Sequence, residues 1–479
     1  MNTDIRARGR RRGVLAAACA ASLTFQIASP EAQQHGATRE PAVPASDSFT
    51  AATGGDRGYY PPLPQGTDLL EWYRNSAQAV DPVGSGIQAE EPSRREPASR
   101  TVSPDGPTFA SGGKAFDVRR FEQEIHARMD GKALGYSYAI NFQKQLYVAD
   151  GWGLERNVKD GLAWHDGYRR MNIASISKTL TAVAVLQLLE KNELTIDEPV
   201  GPWLPAEWNK AYGFGSPAFI TFRDLLTHRS GLKQTVTAIE AFDAGFKALD
   251  KVTWDGLEAV VAYGTIPAYY NDPKPAYSNI NFALFRVIIP ALWKATGEMP
   301  WADELNAGYA AILYATYMAE HLFIPLGIHQ ASCSEDQIGN PIRYYNFFEP
   351  IEEGAVGGNW ALSCGSGGWY LSAYNLANLM ANIRYNDAIL SPAMRSLMDQ
   401  HKLGWSYNWS QNGLHGLYLA HAGALYFDDE DFGERREMQG CVMKYPIHVE
   451  AVLLVNSSIE TNTLPCAKLA AAFDAAWVD

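Results

Sequence analysis

Ser175-Ile176-Ser177-Lys178 opens a long apolar run, Thr179 to Leu189. Leu180, Val183, Val185, Leu186, Leu188 and Leu189 make that run apolar nearly all round, so the pattern predicts a helix enclosed by protein. Side chains three apart on a helix share a face, which brings the Ser175 hydroxyl and the Lys178 amine together at its first turn. A serine hydroxyl is a weak nucleophile until a base lies within hydrogen-bond reach. Desolvation lowers a lysine pKa and makes a neutral, proton-accepting amine accessible. Ser175 is therefore the candidate nucleophile and Lys178 its candidate base. The same pattern recurs at Ser111-Gly112-Gly113-Lys114, but in Gly/Pro/Ser-rich sequence with no helical run to fix the geometry.

A nucleophile of this kind needs a second proton-transfer group, an orienting amide and oxyanion donors. Tyr277-Ser278-Asn279 offers the first two: Tyr277 to relay a proton, Asn279 to hold Lys178 and a substrate carbonyl. Tyr-x-Asn also occurs at Tyr269-Tyr270-Asn271 and Tyr344-Tyr345-Asn346. Tyr277 is preferred because it lies in a Pro-bounded loop directly before an apolar helix, where a rigid scaffold presents a loop residue. His421-Ala422-Gly423 falls within a predicted strand, and a glycine there lets a substrate backbone approach closely. The Ala424 amide can then join that of Ser175 in an oxyanion hole. A second His-x-Gly, His165-Asp166-Gly167, precedes the serine.

Ser175-x-x-Lys178, Tyr277-x-Asn279 and His421-x-Gly423 follow the order seen in the serine β-lactamase and penicillin-binding-protein superfamily. The chain most resembles its class C-like branch, which holds β-lactamases, family VIII esterases and D-amino-acid-specific peptidases. Three further stretches resemble that branch: Ile220 to Leu232, Gly367 to Ser372, and Gly404-Trp405 as the strand before the third motif. The resemblance covers about Val118 to Trp477. It implies acyl transfer through a covalent acyl-enzyme on Ser175, with Lys178 and Tyr277 sharing the proton work and no cofactor. It also carries a departure. Where typical β-lactamases have Lys-Thr-Gly, this chain has His421-Ala422-Gly423, without the permanent cation and hydroxyl that bind a substrate carboxylate. The expected substrate is therefore a small-molecule ester or peptide, of which cell-wall fragments are one source, with weak or no β-lactam hydrolysis. The reading from another class is a catalytically inactive cell-envelope binding protein that keeps the fold.

The periodicities place this site in an α+β domain. Val118 to Met129 predicts an amphipathic helix, with Phe121, Ile125 and Met129 on one face. Tyr136 to Phe142 and Leu146 to Ala149 predict strands joined at Gln143-Lys144. Helices are expected at Thr221 to Leu226, Ile280 to Thr296, Ala310 to Leu322 and Ala373 to Ile383. Strands are expected at Leu417 to Phe427, Met438 to Tyr445 and His448 to Val455, and a closing helix at Cys466 to Trp477. Strands at both ends and helices between them imply an antiparallel sheet covered by terminal helices, with an inserted helical region.

That domain is expected over residues 115–479 of the 479. Residues 1–32 read as an export signal: Arg6, Arg8, Arg10, Arg11 and Arg12 precede a short apolar stretch, Gly13 to Phe25. Arg11-Arg12-Gly13-Val14-Leu15 resembles the twin-arginine type. The expected location is periplasmic or secreted, with no transmembrane span. Residues 33–114 are rich in Pro, Gly, Ser and charge and read as a disordered linker. A net charge of -13 argues against nucleic-acid or anionic-membrane partners. The acidic run Asp428, Asp429, Glu430, Asp431 and Glu434 reads as a solvated hairpin loop. The four cysteines of the domain, Cys333, Cys364, Cys441 and Cys466, lack metal-site spacing, no His-Glu-x-x-His helix occurs, and no metal is expected. Export would let the cysteines pair, in any of three ways for two bridges.

Overall fold

A computed structural model describes residues 108–479 except 112, 210–218, 233–252, 264–275, 300–305, 349, 351, 428–434 and 462. The expected export signal, most of the 33–114 linker and the acidic run lie outside these residues. The described residues begin with strands Thr108–Ser111 (β1) and Lys114–Asp117 (β2), ahead of the expected domain start at residue 115. Ser111 pairs with Lys114 across the β1–β2 turn, so the second Ser-x-x-Lys is a hairpin and not a helix. Helix Val118–Met129 (α1) follows, capped by the Asp117 carboxylate, which accepts from the Arg119 and Arg120 amides.

Strands Gly135–Phe142 (β3), Gln145–Arg156 (β4), Ala163–Trp164 (β5) and Met171–Asn172 (β6) lead into helix Ser177–Lys191 (α2). Gln143 and Lys144 both take positive φ, the geometry of a two-residue hairpin turn. The middle of the chain is helical: Phe222–Leu226 (α3), Trp254–Tyr263 (α4), Asn279–Ala283 (α5), Phe285–Thr296 (α6) and Ala307–Met318 (α7). The single helix expected over Ile280 to Thr296 is thus two, with a break at Leu284. Strand Tyr370–Leu371 (β7) and helices Ala373–Tyr385 (α8) and Pro392–His401 (α9) come next. Strands Gln411–Gly413 (β8), Gly416–Tyr426 (β9), Glu437–Lys444 (β10) and Val449–Val455 (β11) precede helix Pro465–Ala475 (α10) and strand Trp477–Val478 (β12).

Seven strands form one antiparallel sheet in the order β5-β4-β3-β11-β10-β9-β8. β11 shows why it sits centrally. Val449, Ala451, Leu453 and Val455 join the core under α1 and α10, while Val452 and Leu454 join the core around α2. Both faces of the strand are buried, so a strand apolar at every position but Glu450, which pairs with Arg384, is stable here. Twelve of the fifteen α2 residues are buried, as the apolar run requires. Gly404-Trp405 does not form a strand: it lies in the turn that closes α9, and β8 is the strand that precedes β9. A Cβ on Gly404 would sit 2.3 Å from the Ala182 Cβ, so that turn packs directly on α2. The cysteines pair as Cys333–Cys364 and Cys441–Cys466. Among the described residues no helix is long and apolar enough to cross a bilayer.

Candidate active site

A short helical turn, Ala174–Ile176, carries Ser175 and runs directly into α2. Ala174 is left-handed, at φ +47°, a strained conformation for a residue with a Cβ. The surroundings impose it. The Asn172 side chain accepts from the Ala174 amide at 2.8 Å, and the Ser177 hydroxyl donates to the Ala174 carbonyl at 2.7 Å. β9 lies against the same turn, where a Cβ on Gly423 would stand 2.5 Å from the Ile173 carbonyl oxygen. Only glycine fits at that crossing.

Ser175 Oγ meets two proton carriers. Lys178 Nζ donates to it at 3.0 Å, and the Tyr277 hydroxyl is hydrogen-bonded to it at 2.7 Å. Lys178 is buried and also donates to Asn279 Oδ1 at 2.7 Å and to the Ser366 carbonyl. Its ammonium nitrogen lies 5.0 Å from the centre of the Tyr277 ring. Asn279 starts α5, and Tyr277 lies two residues ahead of it. One alternative drops away. Tyr344 and Tyr345 are buried elsewhere, and Tyr344 Oη accepts from the Asn172 amide; Tyr269, Tyr270 and Asn271 lie outside the described residues.

His421 faces the same cluster from β9. Its Nδ1 donates to the Ala422 carbonyl at 2.7 Å, so in the neutral ring Nε2 is the acceptor. Burial, with the Lys178 charge second, lowers its pKa to about 3, so the ring is uncharged at neutral pH. The Ala424 amide has the right aspect. Ala420 bonds Ser410 Oγ and the Ser406 amide on the edge away from β10. Alternation along β9 gives Ala422 and Ala424 that same edge. Beyond Tyr418 that edge carries no β8 partner. His165, from the other His-x-Gly, is a buried residue outside this cluster, with a pKa lowered to about 4 by desolvation. Sequence reading missed the Ser366 carbonyl, because a backbone acceptor has no residue-type signal. It also gave no task to His228, which packs against Tyr277 with ring centres 4.4 Å apart. A separate cavity of 290 Å³, lined by Pro202, Trp203, Pro290, Lys294, Met299 and Leu313 among others, shares no residue with the cluster.

An antiparallel sheet between helical layers, with Ser-x-x-Lys at the start of a buried helix, defines the β-lactamase/transpeptidase-like fold. The Beta-lactamase family profile matches residues 120–426, and the chain belongs to that family, whose members are generally serine hydrolases. Among curated proteins, the chain is 45% identical over 60 residues to Esterase EstB of Burkholderia gladioli, a stretch covering 12% of this chain and 15% of that one. It is 43% identical over 63 residues to the mitochondrial serine beta-lactamase-like protein LACTB of Homo sapiens, covering 13% of this chain and 11% of the relative. The matched stretches thus span under a sixth of either relative's length. Among solved structures, FmtA of Staphylococcus aureus superposes with a TM-score of 0.53 at 16% identity, covering 75% of this chain and 88% of the other. The D-alanine carboxypeptidase AmpC of Burkholderia cenocepacia gives 0.51 at 15% identity, covering 75% and 99%. At such identities the superpositions speak for the fold alone.

Proposed function

We propose that this chain is an exported serine hydrolase that cleaves an ester, or a small peptide amide, through an acyl-enzyme on Ser175. The observation that carries this reading is Ser175 Oγ held between Tyr277 Oη at 2.7 Å and Lys178 Nζ at 3.0 Å. Ser175 Oγ attacks the substrate carbonyl as its proton passes into the Tyr277–Lys178 pair. The Ser175 and Ala424 amides receive the oxyanion. Tyr277 returns the proton to the leaving group as the C–O or C–N bond breaks. A water then gives its proton to the same pair, attacks the acyl carbon and releases the acid, and Ser175 regains its hydrogen. Asn279 holds Lys178 and the substrate carbonyl, while Gly423 lets the substrate backbone lie along β9.

The neutral His421 and the methyl of Ala422 supply neither a fixed cation nor a hydroxyl to a substrate carboxylate, which favours esters over β-lactams. The esterase match supports the same choice. The arginine-rich leader read at residues 1–32 supports export, and two disulfides fit an oxidising compartment.

Intact-mass analysis after a fluorophosphonate probe is expected to show one adduct at Ser175, absent in Ser175→Ala. Turnover of p-nitrophenyl esters should fall by at least about 10³-fold in that variant. Parallel assays with nitrocefin and D-alanyl peptides rank the substrate classes. An unlabelled wild-type protein, indistinguishable from Ser175→Ala, would favour the inactive binding protein instead.

A further inference from the structure

The Ile220 to Leu232 stretch has no task in the reaction above. It caps α3 at Thr221 and ends that helix at Thr227, then places His228 at φ +57°. A left-handed histidine is strained and persists where its contacts over-determine it. Those contacts converge on the segment that carries Tyr277. The His228 carbonyl accepts from the Ala276 amide at 2.9 Å. Its Nδ1 accepts from the Ser278 amide at 3.3 Å and from Asn281 Nδ2 at 3.0 Å. Asn281 Oδ1 in turn accepts from the buried Ser230 hydroxyl. The imidazole lies against the Tyr277 ring at 4.4 Å and the Phe282 ring at 5.3 Å.

We propose that His228 is a positioning residue for Tyr277: it grips the backbone on both sides of the tyrosine and backs its ring, fixing the phenol oxygen beside Ser175 Oγ. The proposal rests on the catalytic reading of Ser175 and Tyr277. Tyr277 is 43% exposed, so one side of its ring faces solvent and the imidazole supplies a wall on the other. The grip needs an uncharged imidazole, because a protonated Nδ1 would turn a donor toward the Ser278 and Asn281 donors. The surroundings keep it so: desolvation first, then the Lys178 charge, hold the His228 pKa well below its ordinary value.

Two variants separate grip from bulk. His228→Phe keeps a ring and removes the acceptor; His228→Asn keeps an acceptor near the Nδ1 position and tolerates left-handed backbone. His228→Phe is expected to lower kcat by about 100-fold with KM within about threefold, the signature of a misplaced catalytic group. His228→Asn should recover at least about tenfold of that loss. Should His228→Phe not fold, His228→Gln, which displaces the acceptor by one methylene, takes its place with the same expectation. A second readout needs no turnover: 3-fluorotyrosine incorporation, with the Tyr277 resonance assigned by its loss in Tyr277→Phe. That ¹⁹F line should shift and broaden in His228→Phe and return toward wild type in His228→Asn. A folded His228→Phe with wild-type kcat and an unmoved ¹⁹F line would overturn the proposal. A wild-type protein without turnover would refute the Ser175 reading, and the fluorine spectra would still decide the role of His228.

Discussion

Under the proposed function, His421 sets what the cleft accepts, because the resemblance places it where typical β-lactamases carry a lysine. Its Nδ1 is committed to the Ala422 carbonyl, and with a pKa near 3 it stays neutral across the working range. A substrate carboxylate therefore meets an uncharged lone pair. His421→Lys restores the cation. A hydrogen bond to a charged group contributes about 1.5–3 kcal/mol, so the nitrocefin-to-ester ratio of kcat/KM is expected to rise by about tenfold or more. The buried Lys178 opposes a second positive charge nearby, which keeps the gain toward the low end. An unchanged ratio, measured on folded protein, would show that some other residue sets the preference. At this scale the sequence was readable where a side chain itself forms the cluster. Ser175, Lys178, Tyr277 and Asn279 meet as their motifs implied. It was silent where a backbone atom makes the contact, as at the Ser366 carbonyl, and where a residue is proposed to act through a neighbour, as at His228.

The elements that hold these residues depend on one disulfide more than the other. Cys364 leads directly into Gly365, Ser366 and Gly367. The Gly365 carbonyl accepts from Thr181 of α2 at 2.8 Å, and the Ser366 carbonyl accepts from Lys178. A Cβ on Gly367 would lie 3.5 Å from the Ala174 carbonyl carbon, so this segment also backs the nucleophile turn. The Cys333–Cys364 bridge anchors that segment. Cys441–Cys466 instead ties β10 to α10 in the core on the other face of the sheet. The two span similar sequence separations, 31 and 25 residues. Chain entropy alone predicts similar losses of stability, about 2–5 kcal/mol each, when either pair is replaced by alanine. Acylation should diverge. Measured well below both melting temperatures, Cys333→Ala/Cys364→Ala is expected to slow fluorophosphonate labelling of Ser175 by about tenfold. Cys441→Ala/Cys466→Ala should label at the wild-type rate. Equal rates in the two variants would remove any special role for the first bridge. Most elements were legible from periodicity: α1 runs from Val118 to Met129 as the apolar spacing implied. The pairing of the cysteines was not, since spacing in the sequence does not say which loops meet. Nor were α4 and α9 anticipated; α9 buries only Met398 and so carries little apolar period.

Across the whole molecule, desolvated neutral histidines set the response to acid. Desolvation, the leading cause in each case, lowers the pKa of His165 and His321 to about 4 and of His421 to about 3, and holds His228 well below its ordinary 6.5. Unfolding returns each to the ordinary value. Between pH 6.5 and about 4 the unfolded chain therefore binds protons that the folded one refuses, and stability falls as pH falls. Glu155 acts in the opposite sense. Burial raises its pKa to about 7 despite Arg169 and Arg156, so the folded state holds a proton there that the unfolded state releases above its ordinary 4.5. His329, His401, His415 and His448, also lowered by desolvation, add to the first sense, and Glu320 and Glu437, raised by burial, add to the second, so eight histidines stand against three carboxyls and dominate near pH 5. Each net proton is linked to roughly 1.4 kcal/mol per pH unit. Calorimetry is expected to show the melting temperature dropping steadily from pH 7 to pH 4.5, before carboxylate titration dominates. His321 lies outside the active-site cluster, beside Trp293 and Tyr317 at ring distances of 5.6 and 4.4 Å. His321→Gln should therefore flatten the acid slope by about one proton's worth while leaving ester turnover at pH 7 unchanged. A melting temperature that holds level or rises through this interval would mean that these imidazoles do not stay neutral in the folded protein. The uncharged His421 on which the proposed substrate preference rests would then need direct titration by NMR.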